Sequence, residues 1–240
     1  MRIGMWSGPR NLSTAMMYSF GARSDCAVID EPFYAAYLAQ TGLHHPMRAE
    51  IMAAQSQDPD KVIAELLGPI RGDRPHFYQK HMAQHMIPGI PRDWIAGLKN
   101  VFLIRHPARV AASFSAKYDN PTLADIGFVQ QAELFDMLRD AGHRPVVIDS
   151  ADIRRAPEPM LRLLCAAIGL PFDPSMLSWP VGGHEQDGVW ASHWYGAVHT
   201  SDGFASAEGA LPVLDGARAE LADAAMPAYE HLSAYKLRIA

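Results

Sequence analysis

Short apolar runs alternate along this chain with longer stretches in which apolar residues recur at helical spacing. Apolar runs bounded by turn residues predict strands, here at residues 3–6, 26–29, 100–104 and 145–148, and residues 76–80 are a further short strand candidate. The stretches between them predict helices, at residues 15–20, 33–72 with breaks near 41–42 and 58–59, 92–97, 108–118, 123–141, 157–168 and 217–235. Strands joined by helical crossovers predict an α/β fold, a three-layer sandwich around a parallel sheet of about five strands.

One segment departs from this alternation. Residues 171–214 are rich in Gly, Pro, Ser and Trp and have little periodicity. A connection of that length is uncommon unless it is functional, so we interpret the segment as a lid over a ligand. At 240 residues we expect a single domain over 1–240, which carries this lid and ends in a helix at 217–235.

Composition narrows the class of partner. Hydrophobic residues make up 49% and charged residues 20% of the chain, as in soluble globular proteins. A net charge of −5 argues against nucleic acid or an anionic membrane as the main partner. We therefore expect a small-molecule substrate, and a homodimer stays open as the assembly.

The expected location is a reducing cytoplasm. The chain has no run of the roughly 18 apolar residues that a membrane-spanning helix needs, and it enters a strand pattern at once, without a charged-then-apolar leader. Its two cysteines, Cys26 and Cys165, have a spacing that matches neither a metal site nor a disulfide framework.

The end of the first predicted strand indicates an anion site. A turn at residues 7–9 leads into a helix that Asn11 or Ser13 can cap. Strand, tight loop and helix start place backbone N–H groups around a phosphate or sulfate, and Arg10 adds a cation inside the loop. The spacing is similar to the P-loop of nucleotide-binding proteins, without the Gly-Lys pair of that loop. A turn of this kind also occurs in α/β proteins with no ligand there.

A second candidate follows the clearest buried strand, 100–104. Arg105 comes directly after it, and Ser113 lies on the next predicted helix. A guanidinium that forks onto two oxygens, together with a hydroxyl, suits a phosphate monoester. The alternative is a structural ion pair between Arg105 and Asp30 or Glu31. Because ligands of parallel sheets lie at the carboxyl ends of the strands, residues 7–14, 30–32, 80–85 and 105–113 are expected to form one neighbourhood.

Taken together, these two motifs resemble the sulfotransferase family that uses 3′-phosphoadenosine 5′-phosphosulfate (PAPS). Residues 9–14 are similar to its strand–Pro-Lys-x-Gly-Thr-Thr–helix motif, and residues 105–113 fit its Arg-x-Pro-x-x-x-x-x-Ser motif. The resemblance covers about residues 2–173 and implies a P-loop-like fold, PAPS as cosubstrate and no required metal. It implies that the donor is bound by Gly8, Pro9, Arg10, Asn11, Leu12, Ser13, Thr14, Arg105 and Ser113.

The chain departs from the family pattern at two loop positions. Leu12 stands where the family has Gly, which a negative φ would accommodate, and Arg10 stands for Lys. The basic Gly-rich loop of animal cytosolic members is absent from the sequence near its C-terminal end.

Sulfuryl transfer also needs an anion stabiliser, a base and a dry pocket. Arg10 is expected to stabilise the leaving phosphate. His81, after Lys80 at the end of a predicted strand, resembles the family's base, and Glu31 is the second candidate. The pocket wall is expected from the irregular segment, at Trp190, Trp194 and Tyr195.

Two other functions and a metal site are alternative interpretations of these residues. One alternative is a nucleotide-dependent kinase. The missing Gly-Lys pair in the loop argues against it, and Asp149 is the only candidate at a strand end for binding Mg²⁺. A non-catalytic nucleotide-binding protein of the same fold stays open. His81 and His85 are four residues apart, as a metal pair on a helix would be, but an acidic third ligand is not evident, so we expect no metal site.

Overall fold

A computed structural model describes residues 1–239 of the chain. Its strands form one parallel sheet in the order β2-β3-β1-β4-β5. The strands are β1 (Arg2–Ser7), β2 (Cys26–Asp30), β3 (His76–Met82), β4 (Lys99–Ile104) and β5 (Val146–Asp149). The prediction of a parallel five-stranded α/β sheet is confirmed.

Helices flank the sheet on both faces. The α-helices are α1 (Ser13–Gly21), α2 (Tyr34–Thr41), α3 (Arg48–Ala54), α4 (Pro59–Leu67), α5 (Pro107–Phe114), α6 (Leu123–Ile126), α7 (Phe128–Asp140), α8 (Ser150–Arg155), α9 (Pro157–Ile168), α10 (Ala191–Trp194), α11 (Gly196–His199) and α12 (Gly216–Ser233). Short 3₁₀ helices span Arg71–Asp73, Ala83–His85, Asp93–Gly97 and Pro174–Leu177. Among these described helices, none is both long and apolar enough to cross a membrane.

Two predicted helices differ from the structure. The helix expected at 123–141 is two helices, because Gly127 between them adopts a φ of +70°, outside the helical range that L residues favour. The helix expected at 108–118 ends at Phe114.

The alternation of side chains along each strand divides the core into two layers. On one face, Met5 and Tyr78 pack with residues of α1 and α9. On the other face, Trp6 and Phe77 pack with residues of α4, α7 and α12. Neighbouring residues of one strand therefore belong to different layers, which decides where strand-end side chains point.

The third strand runs two residues further than its apolar pattern indicated. It ends at Met82 instead of Lys80, and Lys80 and His81 pair in register with Met5 and Trp6 of β1. His81 thus lies within the strand and follows its alternation, so it faces the layer opposite to that of Lys80.

The irregular segment folds back onto the rest of the protein. It contains the 3₁₀ helix after Asp173 and the short helices α10 and α11, and Ser178 forms an antiparallel bridge with Gly203. Trp190 within it is buried. The segment covers the carboxyl edge of the sheet, where the site lies.

Candidate functional site

A cavity of about 310 Å³ lies at the carboxyl edge of the sheet, within the size range of small-molecule sites. It is lined by the loop at 9–15, by Glu31 and Lys80, by Arg105, and by Trp194 and Tyr195 of the irregular segment, among others. The structure therefore brings together the loop, the strand-end charges and part of the aromatic wall that the sequence indicated.

The loop after β1 has an unusual backbone. A Cβ on Gly8 would lie 2.3 Å from the carbonyl oxygen of Ile126, so only glycine fits there. Arg10 and Leu12 adopt φ values of +62° and +72°. A non-glycine residue in the left-handed region costs on the order of 1–3 kcal/mol, and such strain is typical of functional sites.

Two expectations about this loop were wrong. Leu12 keeps a positive φ instead of the negative one that would ease its replacement of glycine. Leu12 itself is the N-cap of α1, and among the described residues no side chain caps that helix, so Asn11 and Ser13 do not. The Asn11 amide donates instead to the carbonyl of Leu103 (3.3 Å).

An uncapped helix start suits an anion. The first N–H groups of a helix have no acceptor within the helix, and α1 begins at Ser13 beside the cavity. The positive end of the helix dipole lies at the same place. The loop geometry thus fits a phosphate or sulfate group of a ligand.

The two motifs meet through Arg10. Its Nε donates to the Ser113 Oγ (2.9 Å), and Arg105 Nη1 donates to the carbonyl oxygen of Arg10 (2.6 Å). Burial, together with the charge of Arg105, lowers the pKa of Arg10. The two guanidinium groups are close enough for the charge of Arg105 to act on Arg10, so together they make this edge of the cavity positive, which favours an anionic ligand.

Arg105 does not pair with Asp30 or Glu31, so that alternative is wrong. Its guanidinium contacts Glu208. The same carboxylate binds Arg109 (Nε to Oε2, 3.0 Å) and Arg154 (Nη1 to Oε1, 2.8 Å). Three arginines thus converge on one carboxylate from the irregular segment.

A buried ion network centres on Lys80. Its Nζ lies 2.8 Å from Asp30 Oδ1, 2.5 Å from Glu31 Oε1 and 2.7 Å from the Tyr195 hydroxyl. Burial by itself would lower the pKa of Lys80, but the two carboxylates outweigh it and raise that pKa. The Tyr195 hydroxyl also lies 2.8 Å from Asp30 Oδ2 and accepts from Trp190 Nε1 (2.9 Å).

Glu31 is the member of this network that suits proton transfer. It lines the cavity and is buried, and burial raises the pKa of its carboxyl. Its backbone has a φ of +39°, a second strained position at the cavity edge. A carboxylate with a raised pKa beside a ligand cavity can act as a general base near neutral pH.

The structure does not bring His81 to the cavity. The ring stacks on Trp6 with centroids 4.3 Å apart, contacts Phe33, and lies 3.2 Å from Gln79 Oε1. Burial lowers the pKa of His81 to about 3. The expectation that His81 is the base is therefore corrected, because the strand continues past it and turns it to the other face.

A different histidine lies at the cavity wall. His85 stacks between Tyr34 and Tyr37, with ring centroids 4.8 Å from each. Within residues 1–239, its Nδ1 and the Nε2 of His45 are buried without a hydrogen-bond partner, and both residues line the cavity. Burial lowers the pKa of both rings, so they offer neutral polar groups to a ligand.

These positions were hard to find from sequence. The two histidines carry no motif, and Glu208 and Arg154 lie in segments far from each other along the chain. His81 and His85 are on a strand and a 3₁₀ helix, not on one helix. Across the described residues no group of three or more His, Cys, Asp or Glu side chains is arranged to hold a metal.

Similarity to known proteins agrees with this geometry. The family model described as "Sulfotransferase domain" matches residues 1–236. Two curated relatives from Arabidopsis thaliana are named branched-chain-amino-acid aminotransferase-like proteins 1 and 2 and are 38% and 37% identical over 204 and 205 residues. The match covers 85% of this chain and 36% of each relative, so the chain spans about a third of their length.

Solved structures share the fold at low identity. The sulfotransferase domain of the curacin biosynthetic pathway aligns with a TM-score of 0.57 at 17% identity, over 98% of each chain. The sulfotransferase domain of the Synechococcus PCC 7002 olefin synthase aligns with a TM-score of 0.50 at 18% identity, over 99% of this chain and 96% of that one. Because the family model matches almost the whole of this chain, the chain belongs to the sulfotransferase domain family.

Proposed function

We propose that this protein transfers a sulfuryl group from PAPS to a hydroxyl or amine of a small acceptor. The observation that carries the proposal is a single cavity that joins two features. One end has the uncapped start of α1 with Arg10 and Arg105, which suits the phosphates of the donor. The other has Glu31 within the Lys80 network, which suits removal of the acceptor's proton.

The donor end would act by charge. The donor supplies the sulfuryl group, whose sulfur bonds to the acceptor oxygen or nitrogen while its bond to the 5′-phosphate oxygen breaks. Arg10 and the N–H groups at the start of α1 bind the phosphate that keeps the electron pair. Preorganised donors of this kind typically contribute about 10²–10³ each in rate. The fixed cations Arg10 and Arg105 would supply the positive charge for which a kinase uses Mg²⁺.

The acceptor end would act by proton transfer. Glu31 takes the proton from the acceptor hydroxyl or amine, and Lys80 holds the carboxylate in place. A positioned general base contributes roughly 10²–10⁴ in rate. The aromatic rings of Tyr34, Tyr118 and Trp194 line the same cavity and exclude water, and the neutral histidines give the acceptor hydrogen-bonding partners.

The proposal also includes a cytoplasmic location and the class of acceptor. Both cysteines are buried and free, as expected of a protein in the reducing cytoplasm. The acceptor is a small molecule rather than nucleic acid or a membrane surface.

Calorimetric titration tests the donor. Adenosine 3′,5′-bisphosphate should bind in the presence of EDTA, whereas ATP should bind weakly with or without Mg²⁺. The release of adenosine 3′,5′-bisphosphate from PAPS, followed across a panel of alcohols, phenols and amines, then tests transfer. Binding of ATP only with Mg²⁺ and no binding of the bisphosphate would replace this proposal by a kinase. Bisphosphate binding without transfer to any acceptor would favour a non-catalytic nucleotide-binding protein.

A further inference from the structure

Three arginine side chains bind one carboxylate at the positive edge of the cavity. Glu208 contacts Arg105, lies 3.0 Å from Arg109 Nε and 2.8 Å from Arg154 Nη1, and its side chain is only 4% exposed. Arg105 and Arg154 also line the cavity. A group of three cations is therefore assembled beside the ligand space around an anion that the chain itself provides.

The charges at this cluster do not balance. Three guanidinium groups face one carboxylate, so Glu208 neutralises one of three positive charges. A phosphate monoester carries up to two negative charges and three acceptor oxygens, and arginine pairs with it through forked hydrogen bonds. By charge and by number of acceptors, such a phosphate fits the cluster better than the carboxylate does.

The segment that carries Glu208 has few other anchors. Residues 205–207 and 209–211 are exposed. The cluster arginines hold the backbone as well: Arg154 Nε donates to the Ser206 carbonyl (2.8 Å), and Arg109 donates to the carbonyl of Gly209. Segments with little buried apolar surface open at low cost in free energy. The segment can therefore leave the cluster without disturbing the core.

We propose that Glu208 occupies the place of the donor's 3′-phosphate in the ligand-free protein, and that the nucleotide binds by displacing it. Arg109 and Arg154 then join Arg105 as ligands of that phosphate. The identity of the phosphate rests on the proposed function. The device makes the segment at 205–211 responsive to one feature of the nucleotide, because a ligand without a 3′-phosphate leaves Glu208 in place.

Glu208→Gln tests the competition. The variant keeps the shape of the side chain and removes its charge, so adenosine 3′,5′-bisphosphate should bind about 10-fold more tightly than to the wild type, equivalent to about 1.4 kcal/mol. The affinity for adenosine 5′-phosphate should not change. Glu158→Gln is the matched control: it removes the same charge from an exposed ion pair with Arg162 and should leave both affinities unchanged. Arg154→Gln should weaken the bisphosphate only.

Hydrogen exchange of the wild-type protein gives a test that needs no variant. The bisphosphate should speed exchange in residues 205–211, and adenosine 5′-phosphate should not. Weaker binding of the bisphosphate to Glu208→Gln, equal tightening for both nucleotides, or protection of 205–211 would overturn the proposal, since Glu208 would then hold the arginines in their binding geometry.

Inorganic phosphate separates this proposal from the proposed function. If the bisphosphate binds neither protein but phosphate binds Glu208→Gln more tightly than the wild type, the donor assignment fails and the displaceable anion site stands. If the two proteins bind phosphate equally, the displacement proposal fails, whatever the donor is.

Discussion

Replacement of Lys80 by Met should expose how the charged side chains beneath the cavity are stabilised. Methionine has nearly the same length and is apolar, so it fills the space without the charge. Lys80 is 1% exposed, and its Nζ lies 2.8 Å from Asp30 and 2.5 Å from Glu31, both of which are also buried. The variant leaves two buried carboxylates. The Tyr195 hydroxyl lies 2.8 Å from Asp30 Oδ2 and 3.2 Å from Glu31 Oε1, but it can donate its one proton to only one of them; Asp30 also accepts from the N–H of Gly188.

The expected cost follows from that geometry. Removal of one partner of a buried ion pair typically costs about 3–5 kcal/mol, because the remaining charge stays desolvated. In a protein of this size each kcal/mol lowers Tm by about 2–4 °C, so Lys80→Met should melt about 6–20 °C below the wild type near pH 7.5. Turnover should fall as well, because Glu31 loses the cation that positions it.

The pH dependence carries the diagnostic information. Burial raises the pKa of Glu31 even with Lys80 present, and the loss of Lys80 should raise it further. An acid whose folded pKa exceeds its unfolded pKa destabilises the fold as pH rises through that range. The loss of free energy of unfolding caused by Lys80→Met should therefore be smaller near pH 5 than near pH 7.5.

Urea unfolding of both proteins at the two pH values measures this deficit. Lys61→Met is the control, since Lys61 is 77% exposed and lies 3.9 Å from Asp58; a pair of that kind contributes roughly 0–1 kcal/mol. A loss of stability no larger than that of Lys61→Met would refute the claim that Lys80 stabilises the buried carboxylates. So would a deficit that does not change with pH.

Three further outcomes are expected. Arg105→Ala should weaken adenosine 3′,5′-bisphosphate by roughly 10- to 100-fold, from a charge-assisted contact of about 1.5–3 kcal/mol, and leave adenosine 5′-phosphate nearly unaffected in calorimetry. Glu31→Gln should lower kcat by about 10² or more with donor affinity unchanged, whereas His81→Phe should retain turnover; the reverse result would restore His81 as the base. Because burial keeps the pKa of His81 near 3 and that of His85 well below 6.5, both stay neutral when folded and protonate when unfolded. The free energy of unfolding should then fall as pH drops below 6.5, by about 1.4 kcal/mol per pH unit for each ring. In urea unfolding, His81→Phe should remove the part of this slope that His81 contributes.

Local patterns of the sequence determined the architecture and the arginine-lined end of the cavity. The four residues 101–104 are all large and apolar, as in a strand covered on both faces, and Arg105 follows them directly. Gly8 marks a turn before a helix. Because the carboxyl ends of parallel strands meet at one edge, chain order alone was enough to place Arg10 and Arg105 together, and the structure has them in contact.

Tertiary structure decided which side chains lie at the other end of the cavity, around Lys80 and Glu31. Side chains alternate between the two faces along a strand. Because β3 continues to Met82, Lys80 faces the cavity and His81 faces the layer around Trp6. The local pattern at 76–80 does not show that this strand continues, because it is the pairing with β1 that extends it to Met82. The sign of φ at Leu12 was likewise fixed by the packed surroundings, which outweigh the strain of a residue that would locally prefer the other sign.

The pairing of the arginines with Glu208 could not be predicted from the sequence for a related reason. Arg105 and Glu208 are separated by 103 residues, and the irregular segment between 171 and 214 has no periodicity from which a path could be inferred. An ion pair of this kind forms only after the core has placed both backbones, because its attraction is too weak and too screened to organise the chain. The sequence specifies which charges exist, and the packing of the core decides which of them meet.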